Sequence, residues 1–193
     1  MSSSVLLMAM SLDGYIAGPN DRPGNPGGDG FMRLHKWYER PDGEFGRPEG
    51  PAGEVWDELN ATGAVLVGRR TAEQVDYYGG EHHDGVPIFV LSRQPAPEIE
   101  EKYPQVKIVS DIETAMAQAK AAAGDKDVLV HGAVTAQKAL EAGVLDELQI
   151  DQVPVLFGEG LRLFDVLPNR IELDVVRVID TPAATHIRYR VRR

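Results

Sequence analysis

The sequence predicts a single α/β domain built on one mainly parallel sheet with an antiparallel edge. Three observations carry this. Short apolar runs of strand type alternate with helical segments through the middle of the chain. The last two strands have no helix between them, so they form a C-terminal antiparallel hairpin. The 193 residues contain no repeat and no low-complexity linker, and that length suits one sizeable domain, 1–193.

The elements follow in order. Val5–Met10 is an apolar run that reads as a buried strand, and "AGPNDRPGNPGGDG" (17–30) is so rich in Gly, Pro and Asn that it must be loop. A short helix is expected over Phe31–Glu39, then a second Pro/Gly loop to about Pro51. Glu54–Thr62 places Val55, Leu59 and Thr62 on one helical face. Ala64–Val67 is a strand and Thr71–Tyr78 a helix, with Thr71 and Gln74 at capping-box spacing. Val86–Leu91, interrupted by Pro87, and Val106–Val109 are strands. Ser110 and Glu113 form a second capping box that opens an Ala-rich helix to Ala123. Asp127–Val130 is a strand ending at His131-Gly132, and Thr135–Ala142 is a helix closed by Gly143. Leu145–Val153 alternates like a strand, "PVLFGEG" turns the chain, and Leu161, Leu163 and Phe164 read as core. Ile171–Ile179 and Thr185–Val191 make the terminal hairpin.

Composition excludes several functions. The formal net charge of -10 disfavours nucleic acid and anionic lipid as partners. Cysteine is absent, which removes disulfides, thiolate nucleophiles and thiolate metal sites. No apolar run is long enough to span a bilayer and no basic leader precedes the first strand, so a cytoplasmic protein is expected.

Against that acidic background, the strand ends stand out. One ends in Gly68-Arg69-Arg70-Thr71, a second in Ser92-Arg93, a third in Gly132-Ala133. Ligands of open α/β sheets sit outside the carboxyl ends of the strands. Glycine there admits a phosphate, and arginine gives it planar multi-donor contacts. Arg69, Arg70 and Arg93 are candidates to surround the 2′-phosphate of an adenosine, which favours NADP(H) over NAD(H). The alternative is two solvent-exposed arginines after an ordinary tight turn. No G-x-G-x-x-G follows a strand, so the usual dinucleotide fingerprint is missing.

"MAMSLDGYIAG", "GAVLVGRRTAE", "IFVLSRQ", "VLVHGAVTAQKALEAGVLDELQI" and "PVLFGEGLRLF" together give the chain a resemblance to the dihydrofolate reductase-like superfamily. It is most similar to the reductase domain of bifunctional riboflavin-pathway deaminase-reductases. The resemblance implies a sheet of about eight strands with flanking helices, and NADPH bound across the strand ends. Gly68, Arg69, Arg70 and Thr71 would hold the adenosine phosphates. Ser92 and Arg93 would lie beside the adenine and its 2′-phosphate. Gly132, Ala133, Val134 and Thr135 would approach the diphosphate, and Ala9, Ile16 and Ala17 would flank the nicotinamide. Two departures stand out: His131-Gly132 replaces paired glycines, and the first loop is long. The implied activity is hydride transfer to a small pyrimidine- or pterin-like heterocycle, including the 5-amino-6-ribosylaminouracil phosphate of riboflavin synthesis. Dihydrofolate reduction and a catalytically silent NADP-binding regulator are the alternatives. Relatives suggest a homodimer.

Catalytic candidates are acids near the expected nicotinamide. Asp13 is either a proton donor or simply the turn residue before Gly14. Glu54 and Asp57 lie on the helix that carries a pterin-contacting acid in dihydrofolate reductases, or they complement the helix dipole. Trp37, Tyr38 and Trp56 can stack on a flat heterocycle or pack a core, and Tyr77 and Tyr78 are similar cases. The "GEG" of 158–160 reads as a turn, which the family resemblance implies lies near the nicotinamide. His82-His83-Asp84 is not expected to hold a metal, because neighbouring histidines seldom converge on one ion. His131 reads as structural, and His35 and His186 support no assignment.

Overall fold

The computed structural model describes residues 2–40, 42–165 and 167–192. Its main sheet has eight strands: β1 (Ser4–Ser11), β3 (Ala64–Gly68), β4 (Ile88–Leu91), β5 (Val106–Val109), β6 (Val128–His131), β7 (Glu147–Val153), β9 (Leu173–Asp180) and β10 (Thr185–Val191). Their order is β5-β4-β3-β6-β1-β7-β10-β9. Strands β5 to β7 along that order are parallel, and β10 runs antiparallel to both β7 and β9. A second, two-stranded sheet pairs β2 (Tyr15–Ala17) with β8 (Leu161–Arg162). The helices are α1 (Ala52–Asn60), α2 (Arg69–Gln74), α3 (Pro97–Lys102), α4 (Ile112–Ala123) and α5 (Ala133–Glu141).

The period of two in each strand sorts the core into two faces. Leu6, Leu66, Val130, Leu148 and Ile150 meet the alanine stripes of α4 and α5, whose small side chains let the helices sit close to the sheet. On the opposite face, Leu7, Val65, Val67 and Val90 pack under Ala72 and Tyr77. Further along that face, Ala9 and Val153 meet Leu34, Trp37 and Val55, from a 3-10 helix (Phe31–Tyr38) and α1. The helix expected at 31–39 therefore forms, with 3-10 geometry.

Several local expectations are corrected. The Thr71–Gln74 capping box does not exist: α2 starts two residues earlier with Gly68 as its cap, so Thr71 is already inside the helix. The side chain of Gln74 instead donates to Asp21 Oδ1 at 2.7 Å. The helix also stops at Gln74, because Asp76, Tyr77, Tyr78 and Gly79 adopt left-handed backbone with φ of 46°, 53°, 57° and 64°. In the second box the cap is Asp111, whose carboxylate accepts from the Thr114 amide at 2.8 Å. α5 begins at Ala133 rather than Thr135, and β4 begins after Pro87. Leu161 is exposed on short β8, whereas Leu163 is fully buried. β2, β8 and α3 have no counterpart in the sequence reading; two are three residues or shorter, and α3 has no buried face to impose a period.

Candidate active site

Because the central strands are parallel, the carboxyl ends of β1, β3, β6 and β7 open on one edge, and a cavity of about 370 Å³ lies there. Met8 and Ala9 of β1, Ile16 and Ala17 of β2, Thr71 and Gln74 of α2, His131 and Gly132 after β6, and Asp151 of β7 line it. The long first loop supplies Asp21, Pro26 and Gly27, and the 3-10 helix that follows it supplies Phe31, His35, Trp37 and Tyr38. The strained turn after α2 supplies Tyr78, His82 and His83.

Asp21 fixes this loop as a wall. Its carboxylate accepts from the Gly27 amide (2.9 Å) and from Gln74, and pairs with Arg70 at 3.0 Å. Arg70 also donates to the Asp21 carbonyl at 2.8 Å. Arg70 is thereby a clamp on the loop. Arg69 forms an i,i+4 pair with Glu73 at 2.7 Å and stays 41% exposed. It also borders, with Ser92, Arg93 and Gln94, an open depression of about 450 Å³. That depression brings together three sequence-predicted phosphate contacts from the ends of β3 and β4.

The approach between the two helix starts is narrow. A Cβ on Gly132, where φ is +87°, would lie 3.2 Å from Thr71 Oγ1, and one on Gly68 would lie 2.9 Å from Thr135 Oγ1. Glycine at both positions keeps backbone amides accessible at the start of α5. Thr135 is buried with an unpartnered Oγ1, Ala133 is buried beside it, and Val134 is 62% exposed; none of these three lines the cavity. The glycine cradle, the cavity and the arginine depression thus lie together at the carboxyl ends of the parallel strands.

The acid candidates are placed elsewhere. Glu54 is exposed on α1, and Asp57 is exposed and bound to Arg47 by two hydrogen bonds of 2.8 Å. Neither lines the cavity. Asp13 also lies outside the lining and is a latch. It accepts from Ser11 Oγ (2.6 Å) and from the amides of Phe157 (3.1 Å) and Gly158 (2.8 Å), so it holds the "GEG" turn. These bonds, the Ser11 hydroxyl first, hold its carboxyl at about 2, below the ordinary 3.8. The latch is therefore made above the ordinary carboxyl pKa and is lost as pH falls toward the folded value. Asp13→Ala is expected to speed amide hydrogen exchange at Phe157 and Gly158 at neutral pH while leaving the amides of β1 protected; unchanged exchange would remove the latch.

Inside the cavity, polar groups are sparse and desolvated. Burial pushes the Tyr38 and Tyr78 phenols up to about 12, so both stay protonated donors at neutral pH. Burial lowers the imidazoles: His82 to about 3, His131 to about 4, and His35 and His83 below their ordinary value. Trp37 is buried, edge-on to His186 at 4.7 Å. His186 Nδ1 and Asp151 Oδ1 are 2.7 Å apart with both side chains fully buried, and Gln149 donates to the same carboxylate at 3.1 Å. Sequence reasoning named neither Asp151 nor His131 as a cavity residue, and both line it. The available signals were polar Gln149 and Asp151 on the inward face of β7, and a histidine at a strand end before a glycine. His186 gave none, since its partner is 35 residues away.

Comparisons with known proteins agree with this geometry. A sequence profile of the RibD C-terminal domain matches residues 4–186. The solved structure of a protein from Shewanella sp. PV-4, described as a candidate riboflavin biosynthesis protein, superposes with a TM-score of 0.73 at 25% identity, covering 99% of both chains. A pyrimidine reductase-like protein from Corynebacterium diphtheriae shares the fold at TM-score 0.63 and 13% identity, covering all of this chain and 92% of that one. The deaminase/5-amino-6-(5-phosphoribosylamino)uracil reductase of Thermotoga maritima shares it at TM-score 0.62 and 15% identity; the match covers 98% of this chain but 56% of that longer one. No curated protein sequence matches the chain.

Proposed function

The chain belongs to the RibD C-terminal domain family, and from that premise we propose that it is an NADPH-dependent reductase of a small, pyrimidine-like heterocycle. The observation that carries the reading is the convergence at one sheet edge of an apolar cavity, a glycine cradle and an arginine-lined depression. NADPH, when bound, supplies the hydride. Gly68, Thr71 and Gly132 admit its phosphates, and Arg69, Ser92 and Arg93 select the 2′-phosphate. Ala9, Ile16 and Ala17 present a small apolar floor for a flat ring, and Trp37 and Tyr38 wall the substrate side. The mostly apolar lining disfavours water beside the transferred hydride. Tyr38 and Tyr78 hold protons that a reduced C=N or C=O acceptor needs. Asp13 positions the 154–160 turn.

The placement of Glu54 and Asp57 outside the cavity favours the pyrimidine over dihydrofolate. The test follows NADPH oxidation with 5-amino-6-ribosylaminouracil phosphate, dihydrofolate and related heterocycles. Turnover of the pyrimidine with little or none of dihydrofolate is expected. Tight NADPH binding without any turnover would replace the enzyme with a silent binder.

The homodimer belongs to the same proposal. Leu173, Val175 and Val178 of β9 oppose Val191, Tyr189 and Ile187 of β10, so they share one sheet face across the register shift. There they are 36%, 62% and 55% exposed, on the outermost strand. An uncovered apolar edge of this kind suits a second copy. Val178→Lys is expected to convert a dimer to a monomer in light scattering, with unchanged circular dichroism; an unaffected mass removes this face from the interface.

A further inference from the structure

We propose that His82, His83 and His131 form a binding site for one divalent transition metal of the zinc and cobalt class, opening into the cavity. One ring nitrogen from each histidine lies within 4.8 Å of the other two, and this is the one such cluster of potential ligands among the described residues. The Nε2 atoms of all three are buried and make no hydrogen bond. Three buried imidazole Nε2 atoms without a hydrogen-bond partner, on rings gathered in one place, are an arrangement that folding alone does not favour.

The backbone explains how neighbouring histidines converge. Consecutive side chains of an extended chain point to opposite sides. Here His83 and Asp84 take left-handed φ of 46° and 61°, and the His82 and His83 rings stack at 4.0 Å. Tyr78, itself left-handed, stacks on the other face of His82 at 4.0 Å. Left-handed backbone at non-glycine residues persists only where the surroundings over-determine it, and it collects at ligand sites. The loop thus brings two imidazoles to His131, which is held at the end of β6 on the sheet.

The donor set selects the ion. Imidazole nitrogens without carboxylate suit zinc, cobalt, nickel or copper, and not the oxygen-bound magnesium or calcium. Three protein ligands leave a fourth tetrahedral position for water or a small ligand, and all three histidines line the cavity. Metal–nitrogen bonds of about 2.0–2.1 Å set tetrahedral nitrogens roughly 3.4 Å apart. Binding therefore needs side-chain rotation that closes up to about 1.4 Å and turns the stacked His82 and His83 rings until their in-plane lone pairs meet at the ion. The inference shares the cavity with the reductase reading but does not rest on it.

The test uses the metal-free full chain without nucleotide. Titration with Co²⁺ is followed by visible absorption, Zn²⁺ competes, and Mg²⁺ serves as the control. One Co²⁺ per chain is expected, with the intense bands of a tetrahedral site, displaced by Zn²⁺ and absent with Mg²⁺. His83→Ala, in a surface loop, is expected to weaken Co²⁺ by more than about tenfold while keeping the apo unfolding temperature. His82→Gln provides a second variant should His83→Ala fold poorly. Failure to take up Co²⁺, octahedral-type weak bands, or undiminished binding in both variants would overturn the site. The reductase reading would survive any of these, because its assay reads NADPH oxidation.

Discussion

Arg93→Ala and Arg69→Ala are each expected to weaken NADPH binding by roughly 10- to 100-fold while changing NADH little. A charge-assisted bond to phosphate is worth about 1.5–3 kcal/mol, and each 1.4 kcal/mol is about tenfold. The competing interaction is small. Arg69 already pairs with Glu73, but both side chains are largely exposed, 41% and 46%, and such i,i+4 pairs contribute only about 0.3–0.5 kcal/mol. A phosphate dianion between two guanidinium groups readily displaces it. Arg70 has a different expected phenotype. It is tied to the carboxylate and carbonyl of Asp21, which anchors the cavity wall, so Arg70→Ala should weaken both nucleotides to a similar degree. Isothermal titration with NADPH and NADH separates the patterns. Equal losses for both nucleotides in Arg69→Ala and Arg93→Ala would refute a 2′-phosphate role for the depression beside β3 and β4.

His186→Ala should lower global stability by about 3 kcal/mol or more. Removing one member of a fully buried polar pair strands the other, and that penalty dominates over the modest net value of the bond itself. Asp151 would keep only Gln149 as a partner, with its carboxylate fully buried between β7 and β10 and its second oxygen already unpartnered. The loss also opens a gap beneath Trp37, which packs on the imidazole. Combining His186→Ala with Asp151→Ala should cost less than the sum of the single changes, because the stranded acid is gone. Urea unfolding gives all three values. A loss below about 1 kcal/mol for His186→Ala, or strict additivity, would show that the pair is not coupled.

Both expectations concern side chains that sequence reasoning treated unequally. Arg69, Ser92 and Arg93, named from the sequence, border one depression because each lies just past a strand end, and parallel strands deliver their carboxyl ends to one edge whatever the details of packing. Ala9, Ile16, Ala17, Thr71, Gly132 and Trp37 were likewise named beforehand and do line the cavity. Glu54 and Asp57 lie outside the cavity lining because one turn of helix decides whether an acid faces a cavity or solvent, and Asp57 is paired with Arg47. Asp13 sits near its expected place but is committed to the amides of Phe157 and Gly158, 144 and 145 residues away.

The sequence by itself determined the alternation of the main strands and helices, the parallel sheet with its antiparallel edge, the glycine- and arginine-bearing strand ends and the family resemblance. Each is encoded locally, in periodicity, glycine placement and contiguous motifs. Only the tertiary structure decided which distant polar groups meet: Asp21 with Arg70, Asp151 with His186, and His82 and His83 with His131. The Asp151–His186 meeting depends on the register of β10 against β7, and the other two on how a long turn-rich loop and a left-handed run fold over the sheet. Nothing repeats along such segments, so their side-chain directions emerge only once packing has closed the cavity.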